Sequence, residues 1–196
     1  MKRILIDYGH GAETKGKRYT FLDESGEVVE QRLEYEMNRQ FTRAVCTHIL
    51  QHHPDVELYD VLKGRQMTLE SLAWERLEIE DVPLYKRTTK ANELGGDLYL
   101  SIHHNALTAE TVGSGQSKAS GSFSYVFREG PSDAREMAEC LVVRDSRVKA
   151  RDFYVLRRTT MPAVLWEVSF FDNLQDDLPE DWKQRVDALI AALRGI

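Results

Sequence analysis

Short apolar strands alternating with amphipathic helices predict an α/β fold, with a mostly parallel twisted sheet flanked by helices on both faces. Two further observations agree. The 196 residues suffice for one substantial core, so a single domain is expected. The first and third predicted strands end in polar groups, Asp7 and His10 on one and His103 and His104 on the other, at the sheet edge where such folds bind ligands.

Taken in order, RILIDY (3–8) is a β-branched run that stops at Gly9, as a buried strand feeding a functional loop does. From Gln31 to Gln51 the residues Leu33, Met37, Phe41, Ala44, Val45 and Ile49 recur at helical spacing, and Pro54 follows. VELYDV (56–61) alternates like a strand, residues 66–93 read largely as helix broken near Pro83, and LYLSIH (98–103) is a strand entered through Gly95-Gly96-Asp97. The Gly/Ser-rich stretch 111–122 reads as a surface loop on the substrate side. Phe123–Phe127 returns as a strand, and Pro131-Ser132-Asp133 with Glu136 starts a helix to about Val143. PAVLWEVSFF (162–171) is the most buried-looking strand. Pro179-Glu180-Asp181 opens the last helix, with Trp182, Val186, Leu189 and Leu193 on one face.

Composition removes several function classes. No apolar run approaches the ~20 residues that span a bilayer, so membrane insertion is not expected. A net charge of −6 argues against a broad nucleic-acid footprint, although Arg144, Arg147, Lys149 and Arg151 form a local basic patch. Cys46 and Cys140 stand apart from any CxxC or Cys–His pair and read as reduced thiols. Behind Met1-Lys2-Arg3 there is no apolar h-region or cleavage site, so no secretory signal is expected.

The opening loop admits two chemistries. From Gly11, G-AETK-GK has P-loop spacing, but Arg18 stands where Ser or Thr should hold Mg²⁺, and the following residues lead to the turn Asp23-Glu24-Ser25-Gly26 rather than a helix. The other reading is a metal. Glu167 lies inside an apolar strand, where an unpartnered carboxylate costs several kcal/mol, so it needs a partner, solvent or a raised pKa. Two imidazoles and a carboxylate are what catalytic Zn²⁺ takes, with a water in its open position. His10 and His103 supply the nitrogens, and Glu27, Glu30, Glu34 and Glu36 compete to be the carboxylate. Glu167 would be the general base, which fits metal-assisted hydrolysis of an amide.

These residues resemble the zinc-dependent N-acetylmuramoyl-L-alanine amidases of the Amidase_3 type. Asp7-Tyr8-Gly9-His10-Gly11-Ala12 is similar to the family's Asp-Pro-Gly-His-Gly-Gly, and Glu34 with Asn38 matches its helix motif. Arg87, Ala91, Asn92 and Asp97 lead into Ser101-Ile102-His103-His104-Asn105-Ala106, and Val155-Leu156-Arg157 precedes Met161-Pro162-Ala163-Val164-Leu165-Trp166-Glu167, with Asn173 beyond. The likeness runs from residue 4 to the C-terminus. It implies a zinc-hydrolase, exopeptidase-like fold, a catalytic domain over 1–196, His10, Glu34 and His103 as ligands of one Zn²⁺ per chain, and Glu167 as the catalytic carboxylate. It also implies the substrate: the amide joining N-acetylmuramic acid to L-alanine in peptidoglycan, so that glycan strand and stem peptide are the partners and the cell wall is the place of action, reached by a route other than a signal peptide.

Departures from the pattern are Tyr8 for proline, Ala12 for glycine, an expanded stretch at 62–86, and a longer interval before Glu34 that leaves Glu30 as its substitute. His104 should face away from His103 in a structural role. Asn105 is expected to orient the loop or a ligand, and Asp7 to hold an imidazole N–H or cap the glycine turn. His48, His52 and His53 are expected to make only solvent and helix-dipole contacts. Rival classes are a zinc exopeptidase on a similar sheet, a non-catalytic wall-binding relative and a P-loop nucleotide binder.

Overall fold

The computed structural model describes residues 1–14, 16–74, 81–107, 110–113, 117–173, 175–176 and 178–195. Its main sheet has seven strands, in the order β5-β4-β1-β6-β10-β8-β9. The central four, β4 (Val56–Asp60), β1 (Lys2–Tyr8), β6 (Leu98–Asn105) and β10 (Ala163–Phe170), run parallel. Outside them, β5 (Arg65–Gln66) pairs antiparallel with β4 and β8 (Phe123–Val126) antiparallel with β10, while β9 (Val148–Ala150) runs parallel to β8. The predicted α/β class, with a mostly parallel sheet covered on both faces, is the class observed.

Strand periodicity divides the core in two. Ile4, Ile6, Leu100, Ile102, Val164 and Trp166 face one side, under α1 (Glu34–His52), α2 (Leu69–Trp74), α4 (Asp133–Cys140) and α6 (Trp182–Gly195). Leu5, Tyr99, Ala163 and Leu165 face the other, under Ala91 of α3 (Leu84–Leu94) and Val155 and Leu156 of α5 (Tyr154–Arg158). Each such fully buried aliphatic or aromatic side chain stabilises by roughly 1.5–3 kcal/mol. On this second side the C-terminal parts of β1, β6 and β10 line a cavity with Asp7, His103, Leu165 and Glu167, and the candidate functional groups lie there.

The structure corrects several element boundaries. The first helix starts at Glu34, not near Gln31, because residues 28–33 are strand β3 (Val28–Leu33), paired antiparallel with β2 (Arg18–Leu22). Asp23 closes that hairpin by accepting hydrogen bonds from the backbone N–H groups of Ser25 and Glu27, a side-chain-assisted turn that frees the β-branched Val28 and Val29 to extend. The expected loop over 111–122 begins instead in strand β7 (Glu110–Gly113), which pairs with β2 and completes a small second sheet, β3-β2-β7. The predicted helix 66–93 is two helices on either side of residues 75–80, which lie outside the described residues. The helix after Pro131 stops at Cys140 rather than Val143, and α5 and β9 were not anticipated.

Candidate metal centre

Three of the sequence-predicted residues meet at the open ends of β1 and β6. After β1 the chain passes Gly9 into His10, which has φ of 64°, unusual for a residue with a side chain. Two residues of α1 fasten this turn: Asn38 donates from Nδ2 to the Gly9 carbonyl at 3.0 Å, and Arg39 donates from Nη2 to the His10 carbonyl at 3.0 Å. Glu34 opens the same helix. Its backbone N–H donates to the Lys17 carbonyl at 3.0 Å, and its Oε2 accepts from the Lys17 N–H at 2.9 Å. The carboxylate is thus aimed before any ligand arrives.

Glu34 Oε1 lies 3.3 Å from His10 Nε2 and 3.1 Å from His103 Nδ1. Metal–ligand bonds of ~2.0–2.1 Å in a tetrahedral arrangement put neighbouring donor atoms about 3.3 Å apart, so this trio fits Zn²⁺. The glycines explain the tight approach. A Cβ on Gly9 would fall 2.0 Å from His103 Cε1, and one on Gly16 would fall 2.5 Å from Glu34 Oε2. Glu30, the substitute carboxylate, is excluded by position: it sits exposed on β3 and pairs with Arg32 at 2.7 Å. Glu27 is likewise exposed beside the hairpin turn, and Glu36 accepts from the Tyr35 hydroxyl.

The electrostatics are those of a preassembled site. Burial pushes the Glu34 carboxyl up, but the hydrogen bonds and charges of His10 and His103 outweigh it and hold the group below the usual carboxylate range. Burial pushes His103 down, and Glu34, helped by Glu167 and Asp7, lifts it above its ordinary value. Glu167 stands beside His103, paired with it in the β6–β10 register. Burial raises its pKa against the opposing pull of His103, and its Oε2 is a buried oxygen with no hydrogen-bond partner. Such an atom facing a cleft is poised to take a proton from something bound there.

A cavity of about 680 Å³ opens over these groups, walled by Val82, Pro83, Leu84, Phe153 and Tyr154. Asp7 plays neither of its expected roles. It is buried and bonded to Arg87 Nη1 at 2.7 Å and to the Ser101 hydroxyl at 2.7 Å, and these interactions outweigh burial and lower its pKa. Arg87 also donates to the carbonyls of Tyr8 and Val82, tying the end of β1 to the cavity wall. His104 turns away as predicted. It bonds Asn38 Oδ1 at 2.9 Å, and burial lowers its pKa to about 3. Asn105 accepts from Lys17 Nζ at 2.7 Å. The P-loop reading has no support in the backbone, since Arg18 begins a strand where a helix is needed.

Sequence reasoning missed Lys17, which lines the cavity beside Glu34 and Glu167, and the aromatic wall of Phe153 and Tyr154. It also misjudged the helix-end histidines. His48 and His53 are largely buried and both meet Asp187 Oδ1 of α6, at 2.7 and 2.8 Å. These three side chains form a second group of possible metal donors among the described residues. Their spacing is that of hydrogen bonds, and Arg194 Nη2 lies 3.3 Å from His53 Nδ1, which reserves that nitrogen as an acceptor and puts the proton on Nε2. They form a clasp between α1 and α6.

The N-acetylmuramoyl-L-alanine amidase model of the Amidase_3 family matches residues 4–191. An uncharacterized cell wall amidase of Bacillus anthracis is 30% identical over 97% of this chain and 34% of its own length, and the N-acetylmuramoyl-L-alanine amidase CwlM of Bacillus licheniformis is 28% identical over 90% and 59%. The chain therefore spans about a third and three fifths of these relatives. Among solved structures, an N-acetylmuramoyl-L-alanine amidase from Clostridium difficile 630 superposes with a TM-score of 0.69 at 22% identity, covering 99% of this chain and 95% of that one. The catalytic domain of CwlV from Bacillus (Paenibacillus) polymyxa var. colistinus gives 0.64 at 26%, covering 99% and 96%. With a family match over nearly its whole length and a fold shared with catalytic domains of that family, the chain belongs to the Amidase_3 family of N-acetylmuramoyl-L-alanine amidases.

Proposed function

We propose that this chain is a zinc-dependent amidase that hydrolyses the bond between N-acetylmuramic acid and the L-alanine of the peptidoglycan stem, with residues 1–196 as its catalytic domain. The observation that carries the reading is the meeting of His10, Glu34 and His103 around one point, with Glu167 beside them carrying an unpartnered buried oxygen. His10 Nε2, His103 Nδ1 and Glu34 would hold one Zn²⁺ per chain. When bound, zinc supplies Lewis acidity toward a carbonyl and makes water more acidic.

The remaining work falls to the protein. Glu167 takes the proton of the attacking water and returns it to the alanine nitrogen as the C–N bond breaks. Its raised pKa suits both halves of that transfer, since the acid formed in the first must survive to serve the second. Lys17 keeps Glu34 oriented through its backbone N–H, and Asn38 and Arg39 hold the unusual backbone of the His10 turn. The apolar wall of Val82, Leu84, Phe153 and Tyr154 excludes water around the scissile bond.

The partners are the glycan strand and stem peptide, and the place of action is the cell wall. No helix among the described residues is long and apolar enough to cross a membrane. The test is digestion of purified sacculi with metal analysis. One zinc per chain, release of intact stem peptides from glycan, and loss of that release on chelation with recovery on zinc addition are expected. Removal of residues from the end of the stem peptide instead would make the enzyme an exopeptidase, cleavage inside it an endopeptidase, and either would overturn the assignment.

A further inference from the structure

The strand register extends the open sheet face beyond Glu167. On β8, Phe123 is directly opposite Glu167 and Tyr125 is opposite Leu165, so both aromatics lie on the face that carries the site. On β9, Lys149 is paired with Tyr125 and shares that face. The Arg147 guanidinium covers the Phe123 ring at 4.5 Å, and that of Arg151 lies 6.0 Å from the Tyr125 ring. Phe153, part of the cavity wall, meets Tyr125 edge-on at 5.3 Å between ring centres. Burial raises the pKa of Tyr125 and the Glu167 carboxylate adds to it, as expected of neighbours. A shelf of two half-buried rings bordered by three cations thus runs from the cleft to the edge of the sheet.

The cations are not spent on the protein's own carboxylates. Arg147 donates to the Ser120 carbonyl and Arg151 to its neighbour's carbonyl, and among the described residues none of the three forms an ion pair. Asp152, close by in sequence, is bonded to Arg157 at 2.8 Å. On a chain with net charge −6, three adjacent uncommitted cations are a local reversal of sign.

We infer that this shelf of Phe123, Tyr125, Arg147, Lys149 and Arg151 is a substrate subsite that receives the carboxylates of the peptide stem. The inference rests on the proposed amidase reading, which places a stem peptide in the adjoining cleft. Charge complementarity selects the occupant, because the carbohydrate backbone of the glycan offers hydroxyl and acetamido groups while the stem peptide carries carboxylates. The rings supply flat apolar contact for the peptide backbone between the charges.

The test measures binding of two soluble probes, an N-acetylmuramoyl tetrapeptide with free carboxylates and the same compound with them amidated. Wild-type protein is compared with Arg147→Gln/Lys149→Gln/Arg151→Gln, whose changes lie on the surface. Wild type should prefer the free-carboxylate probe and lose that preference as salt rises. The triple variant should bind it about ten-fold more weakly and carry that loss into a raised KM, with the amidated probe little affected. Equal wild-type affinity for the two probes, an unchanged Kd in the variant, or a patch that binds only a poly(glycerol phosphate) probe would overturn the subsite. Intact, charge-dependent binding without cleavage of the lactyl amide would instead remove the amidase reading and leave the subsite standing.

Discussion

Replacing Arg87 with methionine strips the hydrogen-bonded guanidinium from a carboxylate that has nowhere to go. Asp7 is 1% exposed, Arg87 is 2% exposed, and their oxygen and nitrogen are 2.7 Å apart. Removing one partner of a buried pair costs about 3–5 kcal/mol, because the other charge stays desolvated. The Ser101 hydroxyl is a neutral hydrogen bond and recovers little of that. A domain of this size loses roughly 2–4 °C of melting temperature per kcal/mol, so Arg87→Met should melt roughly 6–20 °C lower. Adding Asp7→Asn removes the orphaned charge, and the double variant should regain at least half of the loss. Urea unfolding of the wild type, both single variants and the double gives the coupling energy directly. A loss below about 1 kcal/mol for Arg87→Met, or a double variant whose loss equals the sum of the singles, would refute the view that this ion pair holds the floor of the cleft.

Other consequences follow from the same geometry. Glu167→Gln should retain bound zinc while turnover on sacculi falls by ~10²-fold or more, and full activity would move the base elsewhere. Gly9→Ala forces the His103 ring to shift by about 1 Å, since a Cβ there would sit 2.0 Å from it, and calorimetry should show weakened zinc binding with a ~10²-fold loss of rate. Asp187→Ala leaves the imidazole N–H groups of His48 and His53 without their carboxylate, and a loss of about 1–2 kcal/mol in urea unfolding is expected with zinc stoichiometry unchanged. A lost zinc equivalent would make that cluster a metal site. Asp7 titrates below 3.8 in the folded state, so its contribution is complete above that value and is lost as pH falls further. Asp7→Asn should therefore flatten the dependence of stability on pH below about 4.

The sheet and the convergence of His10, His103 and Glu167 at its edge were legible because each announces itself locally. A polar group inside or ending an apolar run is expensive, and His10, His103 and Glu167 stand out on that ground alone. The carboxylate ligand was harder. Four glutamates crowd residues 27–36, and only the β2–β3 hairpin, which places Glu30 on an exposed strand and starts the helix at Glu34, separates them. The hairpin was missed because Leu33 and Met37 suit a helical period while Val28 and Val29 suit a strand, and pairing with β2 decides between them. The clasp at His48 and His53 could not be read from α1, since its acceptor is on α6, 139 and 134 residues away.

By itself the sequence determined which side chains are too polar for their surroundings, and hence that a site forms where the parallel strands end. Only the tertiary structure decided what each polar group meets. Asp7 answers to Arg87 across 80 residues, Lys17 steers Glu34, and β8 and β9 carry their rings and cations onto the face of Glu167. The physical reason is that burial cost is a property of one residue in its strand, whereas the partner that offsets it is chosen by how strands and helices cross in space.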